Sequence, residues 1–203
     1  MRIIDPTVGP RAALYAHFRA FSSPLFTICS PVRVDSARLK AQGGLFPGLL
    51  HAMLEAANAV PELRRRIRVQ DGRDVVVEHD QVDCTCTTAR DDGSFTFCGF
   101  RRDPDRARFV GGVKAAVQAS VAIPGLDLSL QHRDDLLYLS CLPWIEVTGT
   151  THATSGDPLD CVPRILWGRV VADRLSVCLT AHHALCDGLH VARFFSELQA
   201  RTG

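Results

Sequence analysis

The sequence predicts an α+β fold, a two-layer sandwich in which helices cover one mixed β-sheet, and three observations predict it. Strand-like and helix-like stretches follow one another without regular βαβ alternation. No segment repeats another, which removes solenoids and propellers. The 203 residues, 46% of them hydrophobic, suffice for one core of ordinary size, so a single domain over residues 1–203 is expected.

Pro10 can occupy the first turn of a helix in which Leu14, Phe18 and Phe21 recur at helical spacing, until Ser22, Ser23 and Pro24 stop it. Residues 25–34 read as a strand. Asp35 or Ser36 can then cap a short helix through Lys40 that ends at Gly43 and Gly44. Pro47 opens a third helix striped by Leu50, Met53, Leu54 and Ala57, and Val60 and Pro61 close it. Two strand-like runs between Ile67 and His79 flank Asp71 and Gly72, a pair able to take the positive φ angles of a tight hairpin turn. Residues 81–88 and 94–98 are further strands, separated by Asp91, Asp92 and Gly93. Asp103 caps and Pro104 opens a helix to Val121, weakened by Gly111 and Gly112. Residues 136–141, 144–148, 165–171 and 174–181 are four more strands. Residues 155–158 form a loop rather than a linker. After Asp187 and Gly188, the stripe Val191, Phe194, Phe195 and Leu198 makes a closing helix.

Net charge is +1, and the only basic run is residues 64–66, so no nucleic-acid partner is expected. The N-terminus lacks the apolar run of a signal peptide, and no stretch reaches the roughly 18 apolar residues of a membrane span. A soluble, cytoplasmic protein is the expectation, with no membrane partner. The eight cysteines, Cys29, Cys84, Cys86, Cys98, Cys141, Cys161, Cys178 and Cys186, contain no CxxC pair. They read as reduced, small hydrophobes rather than metal ligands or a disulfide framework.

The chemistry concentrates near the C-terminus. His183 leaves an alternating strand, and four residues later Asp187 and Gly188 turn the chain into the last helix. A histidine held there stands on rigid scaffolding at the edge of a cleft, where an imidazole can take a proton from a hydroxyl. A strand-end histidine that only satisfies its own polarity is the bland reading. Asp187 can cap the helix or pair with a cation that steadies the loop, and Gly188 lets the backbone turn closely. His182 faces the other way and reads as structural. His17, His51, His79, His132, His152 and His190 have no constellation around them and default to surface or core.

The run from His182 to Phe194, containing HxxxDG as His183 to Gly188, resembles the chloramphenicol acetyltransferase family of CoA-dependent acyltransferases. Other segments agree in order: Phe46 and Pro47, residues 58–64, Asp71 and Gly72, and residues 139–144, the match being loosest over residues 80–134. The resemblance implies O-acetylation, a direct transfer of acetyl from the co-substrate acetyl-CoA to a hydroxyl of a small acceptor, with antibiotic resistance where that acceptor is chloramphenicol. It implies no bound metal or cofactor. It makes His183 the general base, Ser140 the hydrogen-bond donor to the oxyanion, and Asp187 a structural partner of an arginine, for which Arg11 is the nearest substitute. Trp144 matches a tryptophan near the CoA tunnel. The family's enzymes are homotrimers with active sites between subunits, so an isolated chain would be inactive.

The sequence also departs from the family. Leu166 stands where a threonine usually holds a water against the oxyanion. Thr148, Gly149, Thr150, Thr151 and His152 replace aromatic and aliphatic pocket residues, which implies a more polar or wider acceptor site. Two alternatives stay open: a dihydrolipoyl-type acyltransferase acting on a thiol, which the absence of a lipoyl domain disfavours, and a non-catalytic trimeric homologue.

Overall fold

The computed structural model describes residues 1–154 and 156–203, so Ser155 of the predicted loop lies outside the described residues. The elements are β1 (Arg2–Ile4), α1 (Ala12–Arg19), β2 (Leu25–Arg33), α2 (Ser36–Ala41), α3 (Leu45–Asn58), a 3-10 turn (Pro61–Arg64), β3 (Arg65–Gln70), β4 (Arg73–Glu78), β5 (Asp83–Ala89), β6 (Phe95–Phe100), α4 (Arg106–Ala122), β7 (Leu136–Cys141), β8 (Arg164–Trp167), β9 (Arg174–His182) and α5 (Gly188–Thr202). The main sheet runs β2-β9-β8-β7-β5-β6, with β5, β7 and β8 mutually parallel and the remaining pairs antiparallel. That is the mixed sheet expected, and helices cover it.

Strand alternation decides what each face does. Val177, Leu179 and Ala181 of β9, Ile165 and Trp167 of β8, and Leu137 and Leu139 of β7 pack with Met53, Leu54, Phe194 and Leu198 of α3 and α5 in one core. The intervening residues, Cys178, Leu166 and Ser140 among them, therefore point to the face that the helices leave open. None of the helices among the described residues is long and apolar enough to cross a membrane.

Five local expectations are corrected. The strands form two sheets rather than one, because the hairpin of β3 and β4 pairs with the unpredicted β1 as a separate β1-β4-β3 sheet. The buried Arg66 ties that sheet to the main one, donating from Nε to Asp134 O and from Nη2 to Leu136 O, each at 2.6 Å. Residues 144–148 are not a strand. The chain there crosses Gly168, where a Cβ would stand 2.6 Å from Ile145 O, and this crossing also ends β8 at Trp167. Asp105, not Asp103, caps α4, accepting from Arg108 N. Pro47 lies two residues inside α3, whose N-cap is Gly44 at φ 125°. Finally, Cys29 and Cys178 form a disulfide, so the expectation that all eight thiols are reduced fails. The two strands place these residues directly opposite each other.

Candidate active site

His183 lies one residue past β9, and three elements hold it. Its N–H donates to Pro24 O at 2.9 Å, tying it to the entry of β2. Its ring stacks on Phe18 of α1, with centroids 3.7 Å apart and planes within 4°, and tilts over Phe26 of β2 at 4.5 Å. Two aromatic faces thus limit the ring's rotation, while Nδ1 is buried and has no hydrogen-bond partner among the described residues.

The turn behind it is closed by Leu185 N and Cys186 N, both donating to His182 O at 3.0 Å. Asp187 is the N-cap of α5. Its Oδ1 accepts from Leu189 N at 3.0 Å, and its N–H donates to His190 Nδ1 at 3.1 Å, completing a capping box. Arg11 donates from Nη1 to Asp187 Oδ2, an ion pair that joins the start of α1 to the start of α5. Burial pushes the Asp187 carboxyl up, but Arg11 and the neighbouring His190 outweigh it, and the group sits below the usual carboxylate value. Arg11 and Asp187 therefore fix the two segments that enclose His183. Gly188 does less than expected. It is the first residue of α5, its φ is not in the left-handed region, and a Cβ there would meet open space.

Ser140 occupies a different part of the sheet. It borders a cavity of about 420 Å³ on the open face, together with Thr85, Thr87, Phe97, Tyr138, His152 and Arg164, and its hydroxyl has no hydrogen-bond partner among the described residues. Ser140 pairs with Leu166, and Leu166 with Cys178, two strands away. His183 is five positions after Cys178, one residue beyond the end of β9. At about 3.3 Å per residue and 4.8 Å per strand, this register puts Ser140 and His183 roughly 19 Å apart within one chain. Trp144 is in neither neighbourhood: it is 67% exposed on the crossing segment after β7.

Arg164, in the cavity wall, escaped the sequence reading. Arg164 is buried, paired with Asp160 at 2.6 Å, with its guanidinium carbon 5.6 Å from the Tyr138 ring centroid. The alternation of β8 could have placed it on the open face. The family resemblance puts His152 among the residues that replace apolar pocket groups, and of residues 148–152 it alone is seen to border this cavity.

Residues 7–199 match the model of the family "Chloramphenicol acetyltransferase". Chloramphenicol acetyltransferase 2 of Escherichia coli is 28% identical over 97% of this chain and 94% of its own length. A chloramphenicol acetyltransferase of Campylobacter coli is 22% identical over 97% and 95%. A solved chloramphenicol acetyltransferase superposes with a TM-score of 0.85 at 25% identity, covering 100% of this chain and 99% of the other. A dihydrolipoamide acetyltransferase of Azotobacter vinelandii, 14% identical with a TM-score of 0.67 over 93% and 85%, shares the fold.

Proposed function

Because the chain belongs to the chloramphenicol acetyltransferase family, and so is an acetyl-CoA-dependent acyltransferase, we propose that it carries acetyl directly to a hydroxyl of a small acceptor. His183 takes the proton of the acceptor hydroxyl as that oxygen attacks the thioester carbonyl. The negative charge that develops on the carbonyl oxygen accepts a hydrogen bond from Ser140, whose hydroxyl has no other partner among the described residues. Collapse of the tetrahedral species breaks the carbon–sulfur bond, and the proton held by His183 passes to the departing CoA thiolate.

The single observation that carries the assembly is the strand register, Ser140 beside Leu166 and Leu166 beside Cys178, which at ideal spacing sets Ser140 roughly 19 Å from His183, whereas the reacting carbonyl must lie within hydrogen-bond reach of both. One chain cannot bring them together, and a ring of copies can. The working form is a homotrimer whose sites each take Ser140 from one subunit and His183 from the next. The exposed Trp144 contacts CoA in that assembly. The protein acts in the cytoplasm, and it confers resistance only where chloramphenicol is an acceptor. Transfer to a dihydrolipoyl thiol is not favoured, since both full-length relatives above carry the chloramphenicol acetyltransferase name, while the dihydrolipoamide enzyme shares only the fold.

Acetyl-CoA with a panel of alcohols, followed by release of free thiol, tests the reading. The intact protein releases thiol with at least one acceptor, His183→Ala keeps less than about a tenth of that rate, and Ser140→Ala loses roughly 10² in kcat. No release above background with any acceptor would point to a non-catalytic homologue.

A further inference from the structure

The cavity that contains Ser140 also reaches Asp127, in the segment between α4 and β7. That segment wraps around the edge of the main sheet at β6. Asp127 N–H donates to Thr96 Oγ1 at 3.0 Å, and Leu130 fills the space that a Cβ at Gly99 would need. The carboxylate is oriented by its own turn, accepting from Ser129 N at 2.9 Å. β6 lies two strands from β7, so at about 4.8 Å per strand the anchor of Asp127 is roughly 10 Å from the strand of Ser140. The wall around the carboxylate, with Phe97, Leu128 and Leu130, is apolar.

Four ionisable side chains line the cavity: Asp127, Tyr138, His152 and Arg164. The charge of Arg164 is met by Asp160 at 2.6 Å. Burial, with the nearby positive charge of Arg164, holds His152 below its usual titration range, and burial pushes Tyr138 up, so both are neutral near pH 7. Asp127 is left. Hydrogen bonds from Ser129 hold its carboxyl below the usual carboxylate value, and no cation among the described residues pairs with it. The cavity therefore carries one uncompensated negative charge. A second copy that brings its His183 here does not supply the cation from the arginines flanking Phe18, because Arg11 is paired with Asp187 and Arg19 with Asp74.

We propose that Asp127 is a cation-binding residue of this cavity, and that the acceptor is an amino alcohol whose ammonium group, set apart from the hydroxyl by an apolar spacer, pairs with that carboxylate. The inference rests on the proposed acetyl transfer taking place at the cavity of Ser140. A neutral ligand that fills the cavity strips water from the carboxylate and returns nothing to it, whereas an ammonium group replaces that water with a charge-assisted hydrogen bond. The charge also draws cations toward the cavity and turns anions away, an effect that salt screens.

The test uses two alcohols of the same shape: 4-(aminomethyl)benzyl alcohol, whose amine is protonated at pH 7, and 4-ethylbenzyl alcohol, in which a methyl group replaces the ammonium. Calorimetry gives Kd, and thiol release from acetyl-CoA gives kcat and KM separately. The intact protein prefers the amino alcohol by roughly tenfold or more, and raising the salt from about 0.02 M to about 0.5 M shrinks that preference. Asp127→Asn, whose amide oxygen can still accept from Ser129 N, cuts the preference to about threefold or less, chiefly through KM, and removes its salt dependence. Equal affinity for the two alcohols in the intact protein, binding of neither, or an undiminished preference in Asp127→Asn overturns the proposal. A salt-sensitive preference seen by calorimetry without thiol release upholds the cation site and sinks acetyl transfer. Thiol release at equal efficiency with both alcohols does the reverse.

Discussion

His182 is 1% exposed, next in sequence to the histidine assigned as base, and its neighbours explain why the two do not share a role. Its Nδ1 accepts from Ala184 N at 3.2 Å, which spends that nitrogen on the turn after β9. Burial, helped by the positive charge of Arg19, pushes its titration down to about 4. In the unfolded chain a histidine takes its proton near about 6.5, so between these values the unfolded state binds more protons than the folded one. The stabilisation is complete above pH 6.5 and drains away as the pH falls toward about 4, on the order of 3 kcal/mol for this residue. His51 and His152, also lowered by burial, act in the same direction. Urea unfolding at pH 7 and at pH 4.5 measures this: the intact protein loses several kcal/mol on acidification, and His182→Gln, with no proton to take, loses less. Identical losses in the two proteins would move the acid sensitivity elsewhere. The neighbouring His183, between Phe18 and Phe26, has its backbone tied to Pro24 and its ring open to a different use.

β2 and β9 pair over nine residues, from Leu25 with His182 to Arg33 with Arg174, and the disulfide Cys29–Cys178 sits in the middle of that pairing. Among the described residues β2 has no other strand neighbour, so the link secures an edge that also supplies Pro24 and Phe26 to the surroundings of His183. Thiol titration in denaturant returns six thiols before reduction and eight after it, matching the six free cysteines. Reduction lowers stability by roughly 2 to 4 kcal/mol. A count of eight before reduction means the pair is open in the cell, the state that a reducing cytoplasm favours. The elements that were legible in the sequence carry their own periodicity: β9 alternates, α5 has its apolar stripe and Asp187 cap, and Asp71 and Gly72, at φ 51° and 73°, close the β3–β4 hairpin as their residue types suggest. What was not legible depends on partners remote in the chain. β1 is three residues long and exists through its pairing with β4, and the disulfide joins residues 149 positions apart whose meeting is set by sheet register. The stretch 144–148 has strand-like composition, but its neighbour is the backbone at Gly168, a contact no local pattern announces.

At the scale of the molecule, the motif residues separate into two groups. Arg11, Asp187 and His183 gather where α1, β2 and α5 meet, while Ser140 borders a cavity across the sheet. The HxxxDG spacing and the family resemblance pointed to the residues, but only the strand register gives their separation of roughly 19 Å. The mixing of subunits decides whether that separation is bridged by assembly. His183→Ala keeps Ser140, and Ser140→Ala keeps His183; each alone is nearly inactive if both groups act on one substrate. In a ring of three made by co-expressing the two variants in equal amounts, every mixed ring contains one junction at which an intact Ser140 meets an intact His183. Random assembly then restores about a quarter of the intact protein's thiol release, since three rings in four are mixed and each holds one working site in three. Were serine and histidine drawn from the same chain, no mixture could exceed the sum of the two variants, because every chain would still lack one of them. Restored activity therefore reports a shared site, and failure to restore it, in mixed rings verified by mass, would remove the inter-subunit arrangement while leaving the family assignment intact.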